Sequence, residues 1–278
     1  MSNSDQLREQ RAGTVINSAS KVQDALIRKS AFQVCNNLES LWELGVYYTS
    51  EIPLPEIAQA VKKYDPTILL SPDMQNDSWS IRPDSGCWYL KGKQGERFYI
   101  LTAEMKHQGT NSRRLAEGLP PQAQGNAIER ATKNLEAFRN RQLNENIVPF
   151  VLFGDGDDLE ENSSIRGRLT SSMIYGRREN TTYLENKRDL KGGSIYIRKS
   201  PWTESEVMTI AENIAYNSID YYINKYGQEF FRNVQEKQEE ERQERDYARM
   251  LKLQGRKRLK PEEVIEKERL ETQVLRGV

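Results

Sequence analysis

Residues 147–154 read IVPFVLFG, an apolar segment that no charged side chain interrupts. A strand that faces water on one side alternates apolar and polar residues, whereas a strand covered on both faces is apolar throughout. The segment therefore predicts a central β-strand with helices packed on both faces of its sheet.

The flanking segments predict an α/β fold. Apolar residues recur at helical spacing from Val22 to Trp42, and the Gly- and Lys-rich sequence KGKQGE is typical of a turn between two strands. The other predicted elements are strands at 88–90, 97–106 and 194–198 and helices at 55–63, 126–141 and 203–226. Strands thus alternate with helices, which favours a central mixed β-sheet flanked by helices.

The end of the chain differs from the rest in composition. From Gln235 to Val278 about half of the residues are charged, beginning with EKQEEERQERD. Such a run is typical of a solvated helix or a disordered extension, and a helical contact with a partner or a second copy is the alternative. We predict a main domain over residues 1–234 and a charged helical or disordered extension over 235–278.

Composition limits the functions open to the chain. Its 41 basic and 41 acidic side chains cancel, which argues against nucleic-acid binding by overall charge but allows a local basic cleft. Cys35 and Cys87 are expected to be inert core residues, and they are too few for a disulfide framework. No apolar run approaches the length of a membrane span, and the first residues lack the apolar stretch of a secretory signal, so we expect neither membrane insertion nor secretion.

Two carboxylates and a lysine form the first candidate site. Asp84 lies in SIRPDSG, and Glu104 and Lys106 lie further along in LTAEMKHQG. Alternate residues of a strand share a face, and the intervening turn can bring Asp84 back beside them. Paired carboxylates suit Mg²⁺, and a neighbouring lysine can orient the attacking water in phosphodiester hydrolysis. The pattern resembles the PD-(D/E)xK nuclease signature, although an exposed Glu–Lys pair on a surface strand would produce it too.

The segment QGNAIERATKN, residues 124–134, forms the second candidate site. Asn126, Glu129 and Arg130 cluster on the first turn of a predicted helix. Asparagine can bond to an adenine edge, and arginine can reach a base or a phosphate. Small residues that would let the backbone approach the bases occur alongside: Ala123, Gly125 and Ala127. An ordinary capped helix with a surface Glu–Arg pair is the alternative.

Taken together, the two segments resemble the EcoRI restriction endonuclease family. The motifs IRPDSG, AEMKHQG and GNAIERATKN occur in that order and at that family's separation, and weaker similarity extends over about residues 50–233. The resemblance implies a restriction-endonuclease-like core and a homodimeric, Mg²⁺-dependent type II enzyme of the prokaryotic cytoplasm. It further implies cleavage of double-stranded DNA at a palindrome containing AATT, with a DNA methyltransferase acting on the same site as a functional partner.

The resemblance also implies a role for each matching residue. Asp84 and Glu104 would hold the metal, and Lys106 would serve the attacking water. Residues implied to read bases are Asn126, Ala127, Arg130, Ala123, Gly125 and Arg168. Residues implied to touch the DNA backbone or to support the site are Glu129, Lys133, Asn134, Arg82, His107 and Gln108. His107 alternates to the face opposite Lys106, which favours a phosphate or structural contact over catalysis.

The outer base pair of the DNA site stays open. Arg168 matches one of the family's two recognition arginines, whereas the other position falls on Ile165, next to Arg166. Gln122 and Thr110 also replace a methionine and a lysine of the family. GAATTC, CAATTG, a degenerate outer pair and AATT alone are all compatible with these departures.

Other functions compete with a restriction endonuclease. A DNA-binding protein of the same fold that has lost cleavage would not need to retain Asp84, Glu104 and Lys106 together. A different metal-dependent repair nuclease would not explain the GNAIER segment, and a coiled-coil adaptor built around the tail would leave the centre of the chain unexplained.

Overall fold

The computed structural model describes residues 15–107, 115–118, 125–156, 177–178, 193–256 and 260–276. Its helices are α1 (Val15–Trp42), α2 (Leu54–Tyr64), α3 (Gly125–Arg141), α4 (Glu204–Tyr226), α5 (Val234–Gln254) and α6 (Pro261–Arg276). Its strands are β1 (Val46–Thr49), β2 (Ile52–Pro53), β3 (Ser80–Ile81), β4 (Cys87–Lys91), β5 (Arg97–His107), β6 (Phe150–Asp155), β7 (Arg177–Arg178) and β8 (Ser194–Arg198). Short 3-10 helices occupy Pro72–Gln75 and Gln228–Phe230.

The larger sheet is mixed, with the strand order β1-β4-β5-β6-β8-β7. Strands β1, β4 and β5 pair antiparallel, whereas β5, β6, β8 and β7 pair in parallel. A second, two-stranded sheet pairs β2 with β3. The predicted α/β fold with a central mixed sheet is confirmed.

Helices cover both faces of the larger sheet. On one face α1 and α4 pack over the alternate side chains of β5 and β6 that include Met105 and Phe153. On the other face α2 and α3 pack over Phe150 and Leu152. Each buried side chain of this size stabilises the fold by about 1.5–3 kcal/mol, so a strand with two covered faces is favoured to carry apolar residues on both of them. The prediction from residues 147–154 is therefore confirmed for the centre of the sheet.

The predicted start of this central strand is wrong. The strand begins at Phe150 rather than at Ile147. Pro149 has no N–H to donate to a neighbouring strand, although its carbonyl still accepts a bond of 2.7 Å from the Thr102 N–H. Helix α1 likewise begins at Val15, earlier than the predicted Val22.

The charged C-terminal segment is helical in the residues that the structure describes. Helix α5 begins with a capping box, in which the side chains of Asn233 and Glu236 each accept a bond from the other's backbone N–H. Helices α5 and α6 then pack together around an apolar cluster: Met250, Leu253 and Leu270. No helix within the described ranges is long and apolar enough to cross a membrane.

Ion pairs attach the first turns of α5 to the rest of the fold. The Glu240 carboxylate pairs with Lys91 of β4 and with Arg232, the latter at 2.7 Å. Lys237 pairs with Glu39 of α1, also at 2.7 Å. Helix α5 is thus fixed beside the β1 edge of the larger sheet.

Candidate active site

The site forms where β5 passes from one strand partner to another. Up to Thr102, β5 pairs with β4, and from Thr102 onward it pairs with β6. Strand β4 begins at Cys87, which pairs with Thr102. Beyond Thr102, the edge of β5 that was paired with β4 therefore faces the loop that precedes β4. That loop carries Asp84. It extends the pairing, since the Ser85 N–H donates to the Ala103 carbonyl at 3.1 Å.

Gly86 closes the turn that returns Asp84 to the sheet. Its N–H donates to the Pro83 carbonyl at 3.0 Å, and its φ of +81° lies in the region that favours glycine. A Cβ at this position would lie 2.5 Å from the ring of Tyr48. A side chain is therefore excluded here by backbone strain and by lack of space.

The structure brings the predicted catalytic residues together. Lys106 Nζ lies 2.5 Å from Asp84 Oδ2 and 2.6 Å from Glu104 Oε1. The Asp84 N–H also donates to Glu104 Oε2 at 3.1 Å. The side chain of Glu104 is 1% exposed and that of Asp84 is 35% exposed. The cluster is therefore closed behind Glu104 and open to solvent at Asp84.

Burial and charge set the protonation of the cluster. Burial raises the pKa of Glu104, the Lys106 ammonium opposes this rise, and the Asp84 carboxylate adds to it. Burial disfavours the charge on Lys106, but Glu104 and Asp84 outweigh that effect and raise its pKa. Lys106 therefore carries its proton at neutral pH. One ammonium beside two carboxyl groups favours the approach of a further cation.

Helix α3 supports the cluster through Asn134. The Asn134 Nδ2 donates to Glu104 Oε1 at 3.3 Å and to Glu104 Oε2 at 3.2 Å. It also donates to the Arg82 carbonyl at 3.5 Å. Two further predicted residues are described. The Arg82 guanidinium pairs with Glu51 at 2.6 Å. The Lys133 side chain is exposed on α3.

His107 lies on the other face of β5. Its Nδ1 is 2.6 Å from Asp155 Oδ1, at the end of the neighbouring strand β6. The structure thus separates His107 from Lys106 across the sheet, although the two residues are adjacent in the chain.

Residues of α1 that were not predicted also reach the site. Arg28 Nη2 donates to the Asp84 carbonyl at 2.8 Å. Asp24 lies one turn earlier. Burial and the Asp84 carboxylate raise its pKa, whereas Lys106, Arg28 and His107 lower it. The spacing of Asp24 and Arg28 on one helix face was the available signal, but it does not reveal which loop that face meets.

The structure does not describe the side chains of the residues predicted to read bases. Residues 125–130 form the first turns of α3, of which the structure describes the backbone alone. This range includes Gly125, Asn126, Ala127, Glu129 and Arg130. Gln108, Ala123 and Arg168 lie outside the described residues. At a rise of about 1.5 Å per residue, Asn126 precedes Asn134 by roughly 12 Å of helix. One continuous helix therefore connects this segment to Asn134, which bonds to Glu104.

The carboxylates suit a hard divalent cation. Among the described residues, no group of three or more His, Cys, Asp and Glu side chains is arranged to hold a metal. Mg²⁺, however, usually takes one or two carboxylates and completes its shell with waters and substrate phosphates. The Asp84 carboxylate, which is open to solvent, and the Glu104 carboxylate behind it can supply the protein ligands that this requires.

Comparisons with known proteins agree on one family. The family model of the restriction endonuclease EcoRI matches residues 9–174. The type II restriction enzyme EcoRI of Escherichia coli is 38% identical over 132 residues, which is 44% of this chain and 47% of that enzyme. The type II restriction enzyme RsrI of Cereibacter sphaeroides is 26% identical over 243 residues, 74% of this chain and 87% of that enzyme. The family match contains both candidate segments.

Proposed function

Because this chain belongs to the EcoRI restriction endonuclease family, we propose that it is a type II enzyme that cuts double-stranded DNA at a palindromic site containing AATT. The observation that carries the proposal is the contact of Lys106 Nζ with both Asp84 and Glu104. These three side chains come from a loop and a strand that are separate in sequence. Their convergence gives the chemistry of phosphodiester hydrolysis a defined location.

The chain's own residues divide the work of hydrolysis. Asp84 and Glu104 would hold Mg²⁺, since type II restriction endonucleases generally use a divalent metal. When bound, the metal would lower the pKa of the attacking water and neutralise the leaving oxygen. The Lys106 ammonium can donate hydrogen bonds to that water or to a phosphate oxygen. Asn134 and the Asp84 N–H hold the Glu104 carboxylate in place.

The start of α3 would read the DNA. Asn126, Ala127 and Arg130, with Ala123 and Gly125 before them, would contact the AATT bases in the major groove. Arg168 would act at the flanking pair. Further residues would contact the DNA backbone or support the site: Arg82, His107, Gln108, Glu129, Lys133 and Asn134. The bond from Asn134 to Glu104 supports this proposal, because it joins the proposed reading helix to the proposed catalytic strand.

A digest of mapped plasmid DNA tests the proposed function. With Mg²⁺ present, we expect double-strand cuts confined to palindromes that contain AATT, and sequencing of the fragment ends gives the outer base and the offset. A parallel digest with a chelator controls for the metal. Cutting at unrelated sequences would refute the recognition assignment, and intact DNA under all metal conditions would refute the activity.

We expect a homodimer in solution. A palindrome read by one α3 per half-site requires two-fold symmetry. Sedimentation at micromolar concentration should give twice the chain mass of 32.2 kDa. A mass of one chain, with no second protein chain joining when cognate duplex is added, would contradict this.

A DNA methyltransferase that modifies the same site completes the proposal. An enzyme that cuts AATT-containing sites in the prokaryotic cytoplasm would cut the host DNA unless those sites were modified. The two proteins would share a DNA sequence rather than a protein interface.

A further inference from the structure

Asp155 is a buried carboxylate at the end of the central strand β6. Its side chain is 1% exposed. The parallel register places it directly beside His107, and its Oδ1 lies 2.6 Å from His107 Nδ1. A carboxylate in such a place loses its hydration and needs a partner.

The surroundings hold Asp155 in position. The indole N–H of Trp202 donates to the carbonyl of Gly154, and the Gly156 N–H donates to the carbonyl of Lys199, both at 3.1 Å. The residues on either side of Asp155 are thus fixed by the β8–α4 connection. The backbone that carries the Asp155 side chain is therefore held in place.

The fold gains little from an acid at this position. In the part of the chain that the structure describes, Asp155 Oδ2 has no hydrogen-bond partner. An unsatisfied buried oxygen costs free energy, and the preceding residue on the same face, Phe153, is apolar core. The bond with His107 is the feature that an apolar residue here could not provide.

We propose that Asp155 is a positioning residue that accepts a hydrogen bond from His107 Nδ1–H and thereby fixes the tautomer and orientation of the imidazole. A bond made by one ring nitrogen determines the state of the other. His107 follows Lys106 directly in β5, on the opposite face of the strand. The functional part of this inference rests on the proposed function, in which His107 contacts the DNA backbone.

A ¹⁵N NMR spectrum of the histidine ring tests directly whether Asp155 sets its tautomer. The sequence contains one histidine, so labelling with [¹⁵N]histidine gives the signals of a single ring. We expect Nδ1 to carry a proton in the wild-type protein, and the Nε2–H tautomer to replace it in Asp155→Ala. Wild-type Nδ1 without a proton would overturn the proposal, even if no variant folded.

A matched variant controls for the loss of a buried carboxylate. Glu145, in the loop between α3 and β6, is also buried and bonds to Lys225 and Tyr226. Glu145→Ala should leave the histidine spectrum and the cleavage rate unchanged. The proposal fails if the spectrum of Asp155→Ala equals that of the wild type.

Cleavage assays then separate positioning from a general structural role. Asp155→Ala should slow cleavage of cognate DNA by up to roughly 10²-fold, the scale expected when a group of the site is misplaced. In a His107→Ala background it should cause no further loss, because it acts through His107. Additive losses would overturn the proposal. If the wild type cuts no AATT-containing DNA, the proposed function fails, and the nitrogen spectrum still decides the positioning.

Discussion

Lys106→Ala will abolish cleavage of cognate DNA. The ammonium lies within 2.6 Å of both Asp84 and Glu104, where it can act on the attacking water and the phosphate. Loss of one oriented charge in such a site slows the reaction by roughly 10²–10³. Asp84→Ala and Glu104→Ala should have the same effect, because each removes a proposed metal ligand. At least one of these variants should retain binding, since base reading is assigned to α3.

The measurement is single-turnover cleavage of a cognate duplex, with binding followed in parallel. Lys237→Ala is the matched control, because Lys237 is as little exposed as Lys106, at 16% against 14%, and also pairs with a glutamate. It should cut at the wild-type rate. A normal rate for Lys106→Ala would show that the catalytic centre lies elsewhere.

Changing any base pair of the AATT core will suppress cleavage strongly. A bidentate contact of the kind proposed for Asn126 and Arg130 discriminates by about 1–3 kcal/mol per base pair. A set of duplexes that differ at one position each, cut by the wild type, measures the effect. Equal cutting of AATT and AGTT would overturn the assignment of α3 as the reading helix.

Arg168→Ala should chiefly change the preference at the flanking pair. The same set of duplexes, extended by one position on each side, tests this. Arg139→Ala is a suitable control, since Arg139 lies in the last turn of α3 and pairs with Glu136. If Arg168→Ala showed the same preference at the flanking pair as the wild type, the role of Arg168 at the outer pair would be refuted. The proposed reading of the AATT core would not be affected.

The cluster of Asp84, Glu104 and Lys106 could be predicted because its signals are local. Glu104 and Lys106 share a face by strand alternation, and the turn after β4 is short enough to return Asp84 beside them. The central position of β6 could likewise be predicted, because an apolar run is typical of a strand with helices on both faces of its sheet. Its first residue could not be predicted from hydrophobicity, because Pro149 is apolar and yet cannot donate to a strand.

The supporting residues could not be predicted, because their contacts depend on tertiary packing. Arg28 and the Asp84 carbonyl are 56 residues apart in sequence. His107 and Asp155 meet only through the register of two parallel strands. Hydrophobic periodicity places a helix on a sheet, but it does not specify which polar side chain then meets which loop.

The attachment of α5 also affects the tendency of the protein to associate through the edge of its larger sheet. Strand β1 lies at an edge of the larger sheet, and an open edge is where a strand of another chain can add. The ion pairs that hold Glu240 and Lys237 place charged side chains along this side of the sheet. Charge at an edge discourages such addition. We therefore expect the first turns of the charged segment to oppose edge-to-edge association of the sheet, and a chain cut before them to aggregate more readily.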